Sequence, residues 1–319
     1  MNEHDLVTFG ETMLRLSPPK GERLETATSL DFKTAGAESN VAIAASRLGS
    51  TATWLSKLPD SALGRRVTNE LRSHGVVPRV SWDDSLRQGT YYIEQGATPR
   101  PTNVIYDRSD AAITTARPSD LDVDAIRGAS KFYTSGITPA LSETLEETTA
   151  ELLTEAKRAG TQTVFDLNHR AKLWTPSEAR ETYESLFPAV DVLVAAKRDV
   201  DTILNRDGSP EEAASNLVNE FDFETVIITR GDEGALAHHK GITYEQPAFE
   251  TDTVDAIGTG DAFVGAYLAR RIENDDVPIA LAYAAATAAL KRTISGDLAV
   301  VTPAEVKHVL SESTADIAR

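Results

Sequence analysis

The segment from Thr253 to Ala269, TVDAIGTGDAFVGAYLA, places two glycines, a threonine and a carboxylate directly ahead of an apolar run. Gly258-Thr259-Gly260 at the mouth of a helix offers unpaired backbone N–H groups and the positive end of a helix dipole, which together suit an anion. Asp261 beside such a site is electrostatically awkward unless it has a task. The task that fits is proton abstraction. A carboxylate at a helix start can take the proton of a hydroxyl as that hydroxyl attacks phosphorus, while the amides of the turn hold the phosphoryl group as its charge develops. A plain N-cap after a glycine turn would use the same residues, so the segment needs support from elsewhere in the chain.

Four further segments offer it. In VFDLNHR, residues 164–170, an apolar strand ends in polar residues, and strand ends of this kind point into the ligand crevice of an α/β sheet. Arg170 there can grip a carboxylate bidentately or bind a phosphate; a surface arginine after a turn is the alternative. His169 reads as a solvated loop residue. VIITRGDEGALAH, residues 226–238, reads as strand, tight turn, strand, with Thr229 and Gly231 placed for a nucleotide to lie against the backbone, or simply as a hairpin. FKTAGAESNVA, residues 32–42, is a small-residue loop feeding a helix. Gly36 there would let a substrate hydroxyl reach the backbone and Asn40 sits near the helix start, although a hinge with an N-cap reads the same way. Tyr91, Tyr106 and Arg108 lie on aromatic, β-branched segments and could cover a sugar acid or pack a small sheet.

These candidates have to be positioned by regular elements. Leu6 to Leu16 reads as one strand, Ser39 to Ser50 as a helix stopped by Gly49, TATWLSKL as a second strand and GRRVTNELRSHGV as a helix ending at Gly75. RQGTYYIEQ and RPTNVIYDRSDAAI have no helix between them and read as an antiparallel pair. After Pro118, strands at KFYTSG, QTVFDLN, VDVLVAA and TVIITRG alternate with helices such as SETLEETTAELLTEAKRAG. Repeated βα units imply a mostly parallel sheet covered by helices on both faces. The expected α/β fold is thus one unit over residues 1–319, with a small β excursion at about 20–33 and 87–115 acting as a lid.

Composition narrows the chemistry. The chain of 319 residues carries 49 Asp plus Glu against 32 Lys plus Arg, a net charge of −17, which argues against a nucleic-acid partner. Among the basic residues Arg outnumbers Lys. Such carboxylate-rich, lysine-poor surfaces suit concentrated salt, where charges are screened within about 3 Å at 1 M, so a salt-loving host is expected. Without cysteine there are no disulfides or thiolate sites. No apolar run reaches the roughly 18 residues of a membrane span, and the N-terminal residues lack a signal-peptide pattern; a cytoplasmic protein is expected. A P-loop, H-E-x-x-H, G-x-G-x-x-G and G-x-S-x-G are all missing. A hydroxyl kinase without a P-loop must build its phosphate site from a helix N-terminus, which the Asp261 segment supplies.

Taken together, AGAESNVAIAASRLG, ITRGDEGAL and DAIGTGDAFVGAYLA, in that order, resemble the ribokinase (PfkB) family of carbohydrate kinases over nearly the whole chain. The resemblance implies a Rossmann-like α/β body with a β lid, ATP and Mg²⁺ as cofactors, Asp261 as the base, and Ala256, Ile257, Gly258, Thr259 and Gly260 as the anion hole. FDLNHRAKLW, GTYYIEQ and NVIYDRSDAAI are most similar to family members acting on 2-keto-3-deoxygluconate. They imply phosphorylation of that acid to its 6-phosphate, with Gly36, Asn40, Tyr91, Tyr106, Arg108, Arg170 and Asp297 at the substrate and Asn168, Thr229, Gly231, Gly234, Gly258 and Gly260 at the nucleotide. The rival readings are a kinase of a neutral sugar or sugar phosphate, and a catalytically silent sugar-binding protein; retention of Asp261 speaks against the second. An exposed β lid has an open sheet face and edge that invite covering, so a homo-oligomer paired through the lid is expected, as a dimer or a higher assembly. Two departures stand out. Ala35-Gly36 replaces a Gly-Gly pair at the lid hinge. The N-x-x-E motif linked to Mg²⁺ falls on Ala196 to Asp199 without its Asn, so no protein ligand to the metal is assigned.

Overall fold

The computed structural model describes residues 4–317. Thirteen strands form two sheets. In chain order they are β1 His4–Phe9, β2 Met13–Ser17, β3 Asp31–Ala35, β4 Ala52–Pro59, β5 Val77–Asp83, β6 Thr90–Glu94, β7 Asn103–Asp107, β8 Ala129–Ser135, β9 Gln162–Asp166, β10 Val192–Ala196, β11 Thr225–Thr229, β12 Ala235–His239 and β13 Ile242–Gln246. The helices are α1 Ala37–Arg47, α2 Ala62–Ser73, α3 Val123–Arg127, α4 Glu143–Ala159, α5 Pro176–Leu186, α6 Lys197–Thr202, α7 Pro210–Phe221, α8 Thr259–Ile272, α9 Val277–Arg292 and α10 Pro303–Ile317.

The larger sheet runs β13-β12-β11-β10-β9-β8-β1-β4-β5. Its seven strands from β11 to β5 pair in parallel, and the β12–β13 hairpin closes one edge antiparallel. Buried strands such as β10, VLVAA, and the Val226–Ile228 centre of β11, TVIIT, are continuous apolar runs because helices cover both faces. One face is sealed by Leu152 and Leu153 of α4 with Tyr183 and Leu186 of α5, the other by Val41 of α1, Val264 of α8 and Leu281 of α9. The strand order reverses at β1, which lies between β4 and β8. Crevices beyond the carboxyl ends of strands at such a point take ligands.

The second sheet runs β3-β2-β6-β7 and forms the lid. Here the structure corrects one expectation. Leu6 to Leu16 is two strands in two different sheets, not one strand of the body. The break falls at Gly10 to Thr12, where side chains take the backbone groups that a ladder would use. Ser56 Oγ donates to the Gly10 carbonyl at 2.8 Å and Gln88 Nε2 donates to the Thr12 carbonyl at 2.7 Å. The chain can therefore leave β1 without orphaned acceptors and start the lid. The β6–β7 antiparallel pair forms as expected, with Tyr91 opposite Tyr106.

Candidate active site

The candidate site rests on the crossing of α1 and α8. Gly265 permits it: a Cβ there would lie 2.6 Å from the Val41 carbonyl oxygen and from the Ala44 Cβ. At this separation Asn40, in the first turn of α1, reaches Asp261, in the first turn of α8, and donates from Nδ2 to Asp261 Oδ2 at 2.7 Å. Gly258 caps α8 in the left-handed region, φ 77°, and any side chain on it would run into the Asp297 carbonyl oxygen 2.0 Å away. The GTGD turn is thus a built feature, pressed against the 294–297 loop.

Its amides divide into two sets. Ile257 N–H donates to Asp255 Oδ1 at 3.1 Å and Thr259 N–H to the Ala256 carbonyl at 3.3 Å, so both are spent inside the turn. Among the described residues, the Gly258 and Gly260 N–H groups have no such partner, and a Cβ on Gly260 would meet nothing within 4 Å. The open face of the turn looks into a cleft of about 360 Å³.

That cleft gathers nearly every residue singled out in the sequence. Gly36, Asn40, Tyr91, Tyr106, Arg108, Asn168, Arg170, Thr229, Ala256 to Asp261 and Asp297 all line it. Gly231 and Gly234 do not. They line a neighbouring pocket of about 170 Å³, shared with Thr229, Thr259 and Gly260 and walled by Phe249, Phe263, Ala285, Ala288 and Ala289. The two pockets meet at the helix mouth, one roofed by the lid and the other flat-sided and apolar.

Electrostatics set the roles. Burial, against the Asn40 hydrogen bond and the nearby Arg170 charge, raises the Asp261 carboxyl to about 6. Asp166 at the end of β9 is pushed to about 8 by burial and by the Asp261 and Asp199 carboxylates. Glu38 is pushed to about 7, mainly by burial, although Ser135 and Thr138 hydroxyls donate to it at 2.6 and 2.9 Å. Asp297, also raised by burial, holds Arg15 Nη1 at 2.6 Å and accepts the Tyr91 hydroxyl at 3.2 Å. Arg15 on β2 and Tyr91 on β6, both lid strands, are thus each joined directly to Asp297 of the body.

Two candidates stand differently from expectation. His169 is buried rather than solvated, its N–H directed at Asp199 Oδ2 at 3.4 Å and its ring pKa lowered mainly by burial. The tight turn after β9, with Asn168 at φ 37°, folds it inward. Arg108 is not an unengaged cation: its Nη2 lies 2.5 Å from Glu11 Oε2, and its guanidinium sits 5.3 Å above the Tyr106 ring. Arg198 is likewise paired with Asp199 at 3.1 Å. Among the described residues, Arg170 is the cleft arginine without a carboxylate in ion-pair contact; it donates to the Asn168 and His169 carbonyls at 3.4 and 3.2 Å. Sequence reasoning missed Glu11, Arg15 and Glu38. The last stands in the AGAESN loop already marked by Gly36 and Asn40, whereas nothing local marks the other two.

The Glu11–Arg108 pair gives a stability test. Glu11 is buried and the Arg108 side chain is only 12% exposed, so removing one leaves the other charge without its partner in a largely desolvated place. Arg108→Leu is expected to cost about 3 kcal/mol, and Glu11→Gln added to it to restore most of that loss, read from denaturant midpoints. Equal midpoints for Arg108→Leu and the parent would show the pair to be energetically idle.

Phosphoryl transfer to a hydroxyl needs a surface that neutralises the phosphoryl and a base at the acceptor oxygen, and the first turn of α8 sets unpartnered amides beside a carboxylate beneath the β lid. With its doubly wound sheet, this defines a sugar kinase of the ribokinase-like fold. The family model for pfkB family carbohydrate kinases matches residues 3–303, and the chain belongs to that family. It is 70% identical over 315 residues, 99% of each chain, to the 2-dehydro-3-deoxygalactonokinase of Haloferax volcanii. It is 31% identical to the 2-dehydro-3-deoxygluconokinase of Thermoproteus tenax, covering 96% of this chain and 94% of that one. The crystal structure of 2-dehydro-3-deoxygluconokinase from Thermotoga maritima superposes with a TM-score of 0.92 at 34% identity, over 97% of this chain and 99% of that one. The acidic, arginine-rich composition fits the Haloferax relative.

Proposed function

We propose that this kinase transfers the γ-phosphoryl group of ATP to the primary hydroxyl of a 2-keto-3-deoxy sugar acid, giving the 6-phosphate, with the galactonate-derived acid preferred. The observation that carries the acid is Arg170, a cleft cation with no carboxylate in ion-pair contact among the described residues. A bound carboxylate supplies one. The preference for the galactonate-derived epimer rests on the 70% identical relative. The gluconate-derived acid, expected from the sequence, is the second reading, favoured by the Thermotoga and Thermoproteus proteins.

In this reading the lid closes over the sugar, and Tyr91 and Tyr106 flank its carbon chain. Asp261, ionised above about 6, accepts the proton of the C6 hydroxyl. The sugar oxygen forms the new bond to phosphorus as the bond to the ADP oxygen breaks. The Gly258 and Gly260 amides face the three equatorial oxygens, where they act in a site shielded from water. The apolar pocket beside Gly231 and Gly234 takes the base of the nucleotide. Kinases of this family use ATP with Mg²⁺, which supplies charge neutralisation at the phosphates. Among the described residues no group of three or more His, Cys, Asp or Glu side chains is placed to hold a metal ion. Asp166, a carboxyl burdened by two carboxylate neighbours, is the side chain that a divalent cation would return to its ionised form.

The test is ATP-dependent phosphorylation, in molar KCl, of 2-keto-3-deoxygalactonate, 2-keto-3-deoxygluconate, fructose, fructose 1- and 6-phosphate, and ribose. A kcat/KM at least about tenfold higher for the two acids than for the neutral sugars is expected, the scale of one charge-assisted contact. Preference for a neutral sugar would overturn the acid assignment, and preference for the gluconate-derived acid would select the second reading.

A further inference from the structure

Lys291, in the last turn of α9, is wholly buried. The chemistry described above does not use it. Its Nζ donates to two backbone carbonyls, those of Asp255 at 3.2 Å and Ile294 at 3.1 Å. These carbonyls belong to the two segments that hold the anion-binding turn. Asp255 opens the turn: its carboxylate accepts the Ile257 and Gly296 amides at 3.1 and 3.0 Å, and its own N–H, with that of Val254, donates to the Arg292 carbonyl. Ile294 opens the loop whose Asp297 carbonyl presses on Gly258. One ammonium therefore ties the front and back of the frame that carries the Gly258 and Gly260 amides.

The charge balance has the same focus. Asp261 and Asp297 line the cleft where a phosphoryl group would enter and Asp255 begins the turn itself; Arg15 contacts Asp255 at 3.7 Å and Asp297 at 2.6 Å. Lys291 adds a second buried positive charge on the protein side of the turn, close enough to Asp255, Asp297 and Asp261 to interact with each of them. Burying an ammonium carries a desolvation penalty, and a methionine would fill similar volume without that cost. A buried cation behind an anion site is expected where the charge itself is needed.

We propose that Lys291 is a positioning residue for phosphoryl transfer, an internal tethered cation that fixes the 255–260 turn through the Asp255 and Ile294 carbonyls and offsets the carboxylates behind it. The proposal rests on the reading of that turn as the phosphoryl site. It is tested with whichever acceptor of the panel the parent enzyme phosphorylates, so a wrong sugar assignment leaves the comparison readable.

Lys291→Met and Lys291→Ala are compared with the parent by circular dichroism in molar salt and by steady-state kinetics. Both are expected to fold. Lys291→Met should lose about 10²-fold in kcat, the scale of a disabled anion-hole contact, with the acceptor KM changed by less than about threefold. Lys291→Ala leaves a hole lined by two carbonyl oxygens. Methylammonium chloride should restore at least about tenfold of its kcat, the scale of a charged hydrogen bond, while tetramethylammonium chloride at equal ionic strength restores nothing. Methylammonium should not affect the parent or Lys291→Met. Parent-like kcat in Lys291→Met, a change confined to KM, or equal behaviour in the two salts would each overturn the proposal. Failure of both variants to fold would also overturn it, by showing that the residue serves the fold alone.

Discussion

Asp261→Asn is expected to fold as the parent does and to lose at least about 10²-fold in kcat, the usual scale for a general base. The fold should survive because the asparagine carbonyl can still accept from Asn40 Nδ2, which now bonds Asp261 Oδ2 at 2.7 Å. The rate should fall because an amide cannot take a proton from the attacking hydroxyl. The pH profile gives a second signature. The base works as the carboxylate, and burial raises this carboxyl to about 6. Parent kcat should therefore decline as pH drops through about 6, and the residual rate of Asp261→Asn should show no such limb. Near-normal turnover, or an acid limb that persists in the variant, would remove Asp261 from the role of base. Steady-state rates between pH 5 and 8, with circular dichroism on each sample, decide the matter.

The parts of this site that could be read from the sequence are those made within one turn of chain. GTGD opening an apolar run identified the mouth of α8, and AGAESN identified that of α1, because helix starts, glycine turns and caps are local. The parallel sheet was equally legible, since each βα repeat carries its own apolar run. What escaped depends on partners far apart in sequence. Arg15 meets Asp297 282 residues away, Lys291 meets the Asp255 carbonyl 36 residues back, and Glu11, in the link between β1 and β2, meets Arg108, just past the end of β7. The break between β1 and β2 has the same origin. Ser56 and Gln88, far along the chain, satisfy the backbone at Gly10 and Thr12, so a segment with continuous strand character can divide between two sheets. His169 was misplaced because its burial depends on the left-handed Asn168 and the Asp199 carboxylate, neither of which has a pattern in the local sequence.

Those distant pairings change how the cleft is expected to recognise an acid. The sequence offered Arg108 and Arg170 as joint partners for a carboxylate, but Arg108 already has Glu11 at 2.5 Å, and the pair together brings little net charge. The attraction falls to Arg170, whose present partners are two backbone carbonyls at 3.2 and 3.4 Å. Exchanging those neutral acceptors for a carboxylate gains charge-assisted bonds of about twice the strength. Arg170→Leu is therefore expected to lower kcat/KM for the keto-deoxy acids by about 10²-fold, mainly through KM, since a carboxylate remote from C6 is bound alike in the ground and transition states. The KM for ATP should move by less than about threefold. Any residual activity on a neutral sugar should fall less than activity on the acids, which separates loss of recognition from general damage to the cleft. A variant whose acid KM matches the parent, or whose losses are equal for acids and neutral sugars, would show that Arg170 does not read the carboxylate. The geometry also orders the two arginines: because Arg108 is tied to Glu11, Arg108→Leu should raise the acid KM less than Arg170→Leu does, although it costs the fold more.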